Sequence, residues 1–294
     1  MTTTASAPAQ SAPPGIPAPE LLPSGEFGLA IGFILGRFAI NMQDLHYGYW
    51  TEGLPVLAPN LPQAQAQYTE HLFTRIPDGV RSILDVGCGA GTTARKLLDK
   101  GYQVDCVSPN GPLSGFVRQQ IGNRATLFET KFEDIVTDRR YDLLLFSESL
   151  LFMNLDLALA RAAELLNPGG YVLICDIFRV PAEGKSPIGG GHQLPAFRAT
   201  VAKFPFQLVS DTDITDRIAP TFDLLDDAYA QAIKPVYDLV LARLSAKRPW
   251  LMGFLKWKFR KQMQRYEAKH FSGRRNGENF KRYKSYRQIL FRKT

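Results

Sequence analysis

The run Ile83-Leu84-Asp85-Val86-Gly87-Cys88-Gly89-Ala90-Gly91 ends an apolar stretch and precedes a helical pattern, the setting in which a glycine loop can hold a cofactor. Glycines at 87, 89 and 91 permit positive φ and carry no Cβ, so backbone there can approach a ligand lying across a strand tip. A helix starting near Thr92 would turn its free amides and positive dipole end toward that ligand. Dinucleotide sites usually read GxGxxG. Here the spacing is GxGxG, with Asp85 two residues before the first glycine. A carboxylate suits an ammonium and a helix N-terminus suits a carboxylate, which together describe the methionine end of S-adenosylmethionine rather than a pyrophosphate. Asp85, Gly87, Cys88, Gly89 and Gly91 are therefore candidate cofactor residues, Cys88 through its backbone as a small loop member.

A sulfonium is already electrophilic, so such a protein must mainly align a nucleophile and exclude water. A base is needed only when the acceptor carries a proton. Glu148, at the end of another apolar run, is a candidate base and equally a structural or cofactor-binding carboxylate. His46 and Tyr47, in the segment HYGYW at 46–50, are further catalytic candidates. His46 titrates near neutral pH, although a hydrogen-bonded structural imidazole fits the same pattern. Tyr47, Tyr49 and Trp50 can present aromatic faces to a sulfonium or pack the segment onto the core. His192, in the Gly-rich stretch 188–193, is a further candidate base, although it reads best as a solvated loop residue. The four histidines lack HxxxH or HExxH spacing and the three cysteines sit in or beside apolar runs, so no metal site is expected and the thiols should be buried and reduced.

These residues need a scaffold. Short apolar runs at 81–86, 102–107, 125–128, 141–146 and 171–177 alternate with helical patterns at 92–100, 112–121 and 155–166, the last closed by Asn167-Pro168-Gly169-Gly170. A helix over 62–76 precedes them, and two further strands are expected at 206–209 and 286–291. The prediction is an α/β chain with a Rossmann-like, doubly wound, mostly parallel seven-stranded sheet and a helical lid inserted before the last strand. The lid stripe is Met252, Leu255, Phe259, Met263 and Tyr266, with Lys258, Lys261, Arg265 and Lys269 on another face. The domain reading is a disordered, Ala/Pro/Ser/Thr-rich tail over 1–24, an N-terminal lead-in over 25–60, a core over 61–215 and 284–294, and the lid over 216–283. Residues 28–40 suit neither a signal peptide nor a spanning helix, so a cytoplasmic protein is expected.

LDVGCGAG resembles the first motif of class I S-adenosylmethionine-dependent methyltransferases nearly letter for letter. YDLLLFSESLLFM at 141–153 is similar to their fourth-strand motif and LLNPGGYVLICDIF at 165–178 to their fifth. HYGYW resembles a segment that precedes the core in small-molecule members. The resemblance covers roughly residues 60–210 and the C-terminal strand. It implies S-adenosylmethionine as cofactor, with Tyr49 and Ser147 among its contacts. Where the family places an acidic residue on the ribose, this sequence has Ser108 and Pro109, similar to the serine-proline variant of cyclopropane fatty-acid synthases. Lys131, Phe132 and Glu133 stand where an Asp often meets the adenine, with Phe132 a candidate cover for the base.

The net charge of +7 is uneven: residues 241–294 carry +15 and the remainder −8. A small or lipid-like acceptor, anionic in one reading, and peripheral contact with a membrane through the basic segment are both compatible with that asymmetry. Nucleic acid is disfavoured, because the fourth-strand motif reads SESL rather than NPPY or DPPY and no Pro-Cys dipeptide is present. Three functions stand side by side: methylation of a small, partly apolar metabolite, carbon methylation or cyclopropanation of a lipid, and cofactor binding without catalysis.

Overall fold

The computed structural model describes residues 24–109 and 111–294, with side-chain surroundings from residue 30 onward. The tail expected over 1–24 lies outside these residues except for Ser24, and Asn110 lies outside them too. The strands are β1 (Ser82–Val86), β2 (Gln103–Val107), β3 (Leu127–Phe128), β4 (Tyr141–Ser147), β5 (Leu166–Arg179), β6 (His192–Gln193), β7 (Phe206–Asp213) and β8 (Lys284–Lys293). The helices are α1 (Ser24–Ile40), α2 (Leu61–Phe73), α3 (Thr92–Asp99), α4 (Gly111–Ile121), α5 (Leu155–Leu165), α6 (Leu194–Val201), α7 (Thr215–Ile218), α8 (Pro220–Ala228), α9 (Lys234–Lys247), α10 (Pro249–Lys258), α11 (Arg260–His270) and α12 (Gly277–Tyr283).

The sheet order is β3-β2-β1-β4-β5-β8-β7, parallel from β3 to β5, with β8 antiparallel to both neighbours. The two-residue β6 adds an eighth strand beside the end of β5. Ile83 through Val86 are all buried, as a central parallel strand covered on both faces must be. One face packs against α2, α3, α4, α7, α8 and α12 through Tyr68, Leu97, Val117, Ile218, Phe222 and Phe280. The other packs against α5 and α6 through Leu159, Ala162 and Phe197. Strand order reverses between β1 and β4, which opens a crevice at their carboxyl ends.

Two expectations need correction. Asn167-Pro168-Gly169-Gly170 follows the end of α5 at Leu165 as expected, but the fifth strand begins at Leu166 rather than 171, so the run lies within β5 as an irregularity, where Tyr141 pairs with Leu166 and Leu143 with Tyr171. Gly169 supplies the positive φ of 73° that this kink requires. The amphipathic stripe expected over 252–266 falls on two helices, α10 and α11, broken at Phe259, whose φ of −103° and ψ of 12° leave the helical region. Among the described residues no helix is long and apolar enough to cross a membrane.

Candidate functional site

The tips of β1, β2 and β4 carry the residues singled out in the sequence. Gly87, Gly89 and Gly91 all have positive φ, at 76°, 56° and 83°. Their missing Cβ atoms serve different ends. A Cβ on Gly87 would lie 2.4 Å from that of Ser149, and one on Gly91 would lie 2.9 Å from the backbone of Val117 in α4. Those two glycines let the loop pack against the protein itself. Among the described residues only the Leu45 side chain, 3.2 Å away, faces a Cβ built on Gly89, so this is the glycine left to admit a ligand.

Asp85 is buried, accepts no hydrogen bond from any described residue, and has Oδ2 shut off from water. Burial pushes its carboxyl up to about 7, against a smaller opposing pull from His46. A buried carboxylate without a partner is costly unless a cation joins it. This orphaned oxygen, the open Gly89 and the amides of α3 fit an amino-acid ligand whose ammonium meets Asp85. Ser108 is buried at the β2 tip, followed by exposed Pro109. Cys88 is buried and unbridged, like Cys106 and Cys175. Among the described residues no cluster of His, Cys, Asp or Glu could hold a metal ion.

Glu148 follows β4 directly with φ of 56°, a left-handed conformation rare for a residue with a side chain. Its Oε1 accepts the Tyr47 amide at 2.9 Å and the Tyr286 hydroxyl at 2.6 Å. Tyr286 lies 2.9 Å from the Tyr68 hydroxyl, which lies 3.0 Å from Ser147 Oγ. Each hydroxyl has one proton, so while Glu148 is ionised the chain runs Ser147 to Tyr68 to Tyr286 to Glu148. Oε2 of Glu148 has no hydrogen-bond partner among the described residues and the residue is half-buried, so this oxygen remains available to the crevice. Burial raises the Glu148 carboxyl, while His46 and the two donors oppose the rise.

His46 is otherwise engaged. Nδ1 lies 2.9 Å from the Tyr47 carbonyl, Nε2 lies 3.2 Å from Thr69 Oγ1 and 3.5 Å from Asp44, and the ring stacks on Tyr68 at 4.1 Å. Burial opposes its charging, but Asp44 prevails and raises its pKa. Asp44 also meets Lys96 of α3 at 2.9 Å and is held down at about 2 despite its burial. The imidazole thus fastens the lead-in to α2, as Asp44 fastens it to α3, and has no ring nitrogen left to serve as a base. Tyr47 rests on Phe222 of α8 at 4.8 Å and Tyr49 on His71 at 4.5 Å, while Trp50 Nε1 donates to Thr221 at 2.9 Å. Phe132 is buried, its ring edge-on to Phe146 at 5.3 Å in the core. The reading of Phe132 as cover for a base therefore gives way to a packing role. His192 joins β6 and places Nε2 3.0 Å from the Leu150 carbonyl, so it is a fixed loop residue rather than a solvated one.

Sequence reasoning missed three members of the site. Tyr68 and Tyr286 entered it only as apolar positions of a helix and a strand. Asp176, the one charged residue in the apolar run LICDIF, accepts the Leu151 amide at 3.0 Å and is pushed by burial up to about 8.

The family model described as "Methyltransferase domain" matches residues 50–274. An uncharacterised methyltransferase of Geobacillus kaustophilus is 28% identical over 116 residues, 38% of this chain and 54% of that protein. The chain thus spans about half the length of this curated relative. The crystal structure of the cyclase SpnF superposes with a TM-score of 0.66 at 17% identity, over 92% of this chain and 94% of that one. Geranyl diphosphate C-methyltransferase from Streptomyces coelicolor A3(2), solved with Mg2+, geranyl diphosphate and S-adenosyl-L-homocysteine, gives 0.65 at 13% identity over 95% and 100% of the two chains. The strand-tip loop, the sheet order and the extent of the family match lead to one statement: the chain belongs to the methyltransferase domain family, of the class I, S-adenosylmethionine-dependent kind.

Proposed function

We propose that the protein transfers the methyl group of S-adenosylmethionine to an oxygen, nitrogen or carbon of a small, partly apolar acceptor, with Glu148 taking a proton where the acceptor carries one. The observation that carries this reading is the buried Asp85 carboxylate without a partner beside the glycine loop. In this reading Asp85 meets the cofactor's ammonium and the α3 amides its carboxylate. Gly89 and Cys88 offer backbone, Ser108 and Pro109 flank the ribose, and Ser147 borders the reacting end. The cofactor supplies an electrophilic methyl group on a sulfonium. The chain's own residues align the acceptor against it and exclude water. Tyr47 and Phe222 form an apolar wall beside Glu148. With Oε1 held by two donors, Oε2 keeps a fixed aim, and the raised carboxyl lies nearer the pH at which a base works best.

The exposed apolar and basic surface of α9–α11 favours a second reading, in which the acceptor is a lipid undergoing carbon methylation or cyclopropanation. One structural neighbour is named a cyclase, so cofactor uptake and methyl transfer are measured separately. Calorimetric titration with S-adenosylmethionine should show saturable binding. Incubation of the protein with methyl-labelled cofactor and separate metabolite and lipid extracts should label a product in one of them. Absence of cofactor uptake overturns the proposal, and uptake with no labelled product in either extract reduces the protein to a cofactor binder.

A further inference from the structure

The insertion between β7 and β8 exposes apolar side chains in ordered stripes. On α9, Val236, Val240 and Leu244 recur every four residues with Leu239 beside them, and Leu239 is 70% exposed. No residue of α9 is buried. On α10, Trp250, Phe254 and Trp257 line one face, with the two tryptophans 75% and 74% exposed. A soluble helix ordinarily turns such a stripe toward a core, and exposed apolar stripes of this extent mark a binding surface.

The charge around these stripes identifies what covers them. Residues 234–269 hold ten Lys and Arg against Asp238 and Glu267, and all ten are exposed. Among the described residues only Lys234 of the ten is paired with a carboxylate, Asp238 at 2.6 Å. The cations of β8 differ: Arg287 is paired with Asp211 and Asp213, Lys284 donates to the carbonyls of Gly189 and Gly190, and Lys293 to those of Ala163 and Leu166. A second copy would set the same cationic surface against itself. Nucleic acid would satisfy the charges but offers no hydrocarbon to Val236, Leu239, Val240 and Leu244, which have no π face for bases to stack on. An anionic bilayer satisfies both. Tryptophan favours the headgroup boundary, aliphatic side chains lie just below it, and Lys and Arg reach out to the lipid phosphates.

We propose that the α9–α11 insertion is a docking surface for an anionic membrane. The insertion is rooted at the site, since Phe222 of α8 stacks on Phe280 of α12 at 4.1 Å and touches Tyr47 beside Glu148. Docking stands on the insertion's own surface. Only its consequence, that the acceptor reaches the crevice from the bilayer, rests on the proposed function.

Two of the three tryptophans lie on this surface and Trp50 is buried, so tryptophan emission reports the insertion directly. The full chain is mixed with vesicles of phosphatidylcholine alone or of equimolar phosphatidylcholine and phosphatidylglycerol, then sedimented. Binding to the anionic vesicles only, with a blue shift in emission and loss at high salt, is the expected result. Changing Lys256, Lys258, Arg260 and Lys261 together to Gln should weaken binding on the order of a thousandfold, and Trp250→Ser with Trp257→Ser should reduce the fraction of protein that sediments with the anionic vesicles. Both variants should keep wild-type circular dichroism and cofactor affinity. The proposal is overturned if anionic vesicles fail to sediment the protein at low salt, if single-stranded RNA displaces it from them, or if the tryptophan changes only dissociate an oligomer. Sedimentation with vesicles but no methyl transfer leaves docking intact and removes the proposed reaction.

Discussion

The strand-tip site and the α9–α11 insertion are built on opposite plans. At the strand tips, Oε1 of Glu148 is held by groups from the lead-in and from β8, and Gly87 and Gly91 are fixed against Ser149 and Val117, so the groups left free, Asp85 and Oε2 of Glu148, sit in a constrained frame. Over α9–α11 hardly a side chain is covered, with Met252 the one buried residue. The first plan gives position, which catalysis needs to within a fraction of an ångström. The second gives area and charge, which suffice for a partner recognised by chemistry rather than by shape. Substitutions should therefore be drastic in one region and mild in the other.

The sharpest test of that contrast is Glu148→Gln. It keeps the shape, removes the base, and should cut the rate of methyl transfer by about 10²- to 10⁴-fold for a proton-bearing acceptor, while calorimetric cofactor affinity stays within a few-fold. A rate unchanged by the substitution would place the carboxylate outside the chemistry. Asp85→Asn should weaken S-adenosylmethionine binding by roughly 10- to 100-fold, the scale of a buried charged hydrogen bond. Asp85 has a carboxyl near 7 in the free protein, so wild-type affinity should show an acid limb that climbs as pH rises to about 7, before the ligand's own ammonium titrates at about 8. The Asp85→Asn variant should lack that limb, and 5′-methylthioadenosine, which has no ammonium, should never show it.

The same raised carboxyls tie stability to pH. Neutral Asp85 and Asp176 suit their burial, so their contribution is complete below the ordinary carboxylate range and is lost as pH climbs through about 7 and about 8. Without ligand, thermal stability should decline over that span, and added cofactor should offset the part due to Asp85. A flat melting profile from acid to mildly alkaline pH would show the groups to be solvated.

What the sequence disclosed follows the same division. The loop from Asp85 to Gly91 was legible because its parts are adjacent and its backbone demands are local. Glu148 was legible as a polar residue at the end of an apolar run. Tyr68 and Tyr286 were not, since a tyrosine at an apolar position reads as packing and the two hydroxyls are joined only by the fold. His46 had the right chemistry for a base, but its use as a fastener depends on Asp44 and Thr69, and Thr69 comes from α2. Asp176 carried a signal, a lone charge in a buried strand. In the insertion, helical period was readable from 252 to 266, whereas the break at Phe259 and the outward turn of Trp250 and Trp257 depend on what the helices lack as partners.

Tyr286→Phe probes the constraint around Glu148 more gently. The hydroxyl donates to the ionised carboxylate and so lowers its pKa. Its removal should move the acid limb of the pH–rate profile upward by about one pH unit, the worth of one such bond, with circular dichroism unchanged. A limb that stays in place would detach the tyrosine chain from the titrating group.

Glycine gives the last and smallest contrast. Gly91→Ala would force an L-residue into φ of 83° and bring its Cβ to 2.9 Å from the Val117 backbone, which cannot yield as a flexible side chain would. It should cost about 2 kcal/mol or more in denaturant unfolding. Gly253 sits inside α10, and beyond the helix's own backbone and its chain neighbours no described heavy atom lies within 4 Å of where a Cβ would stand, so Gly253→Ala has only helix propensity to act on. It should stabilise α10 by up to about 1 kcal/mol, seen as slower amide exchange confined to residues 249–258 with cofactor affinity untouched. Equal destabilisation by both substitutions would mean that the insertion is packed as tightly as the strand tips, and the division between the two regions would fall.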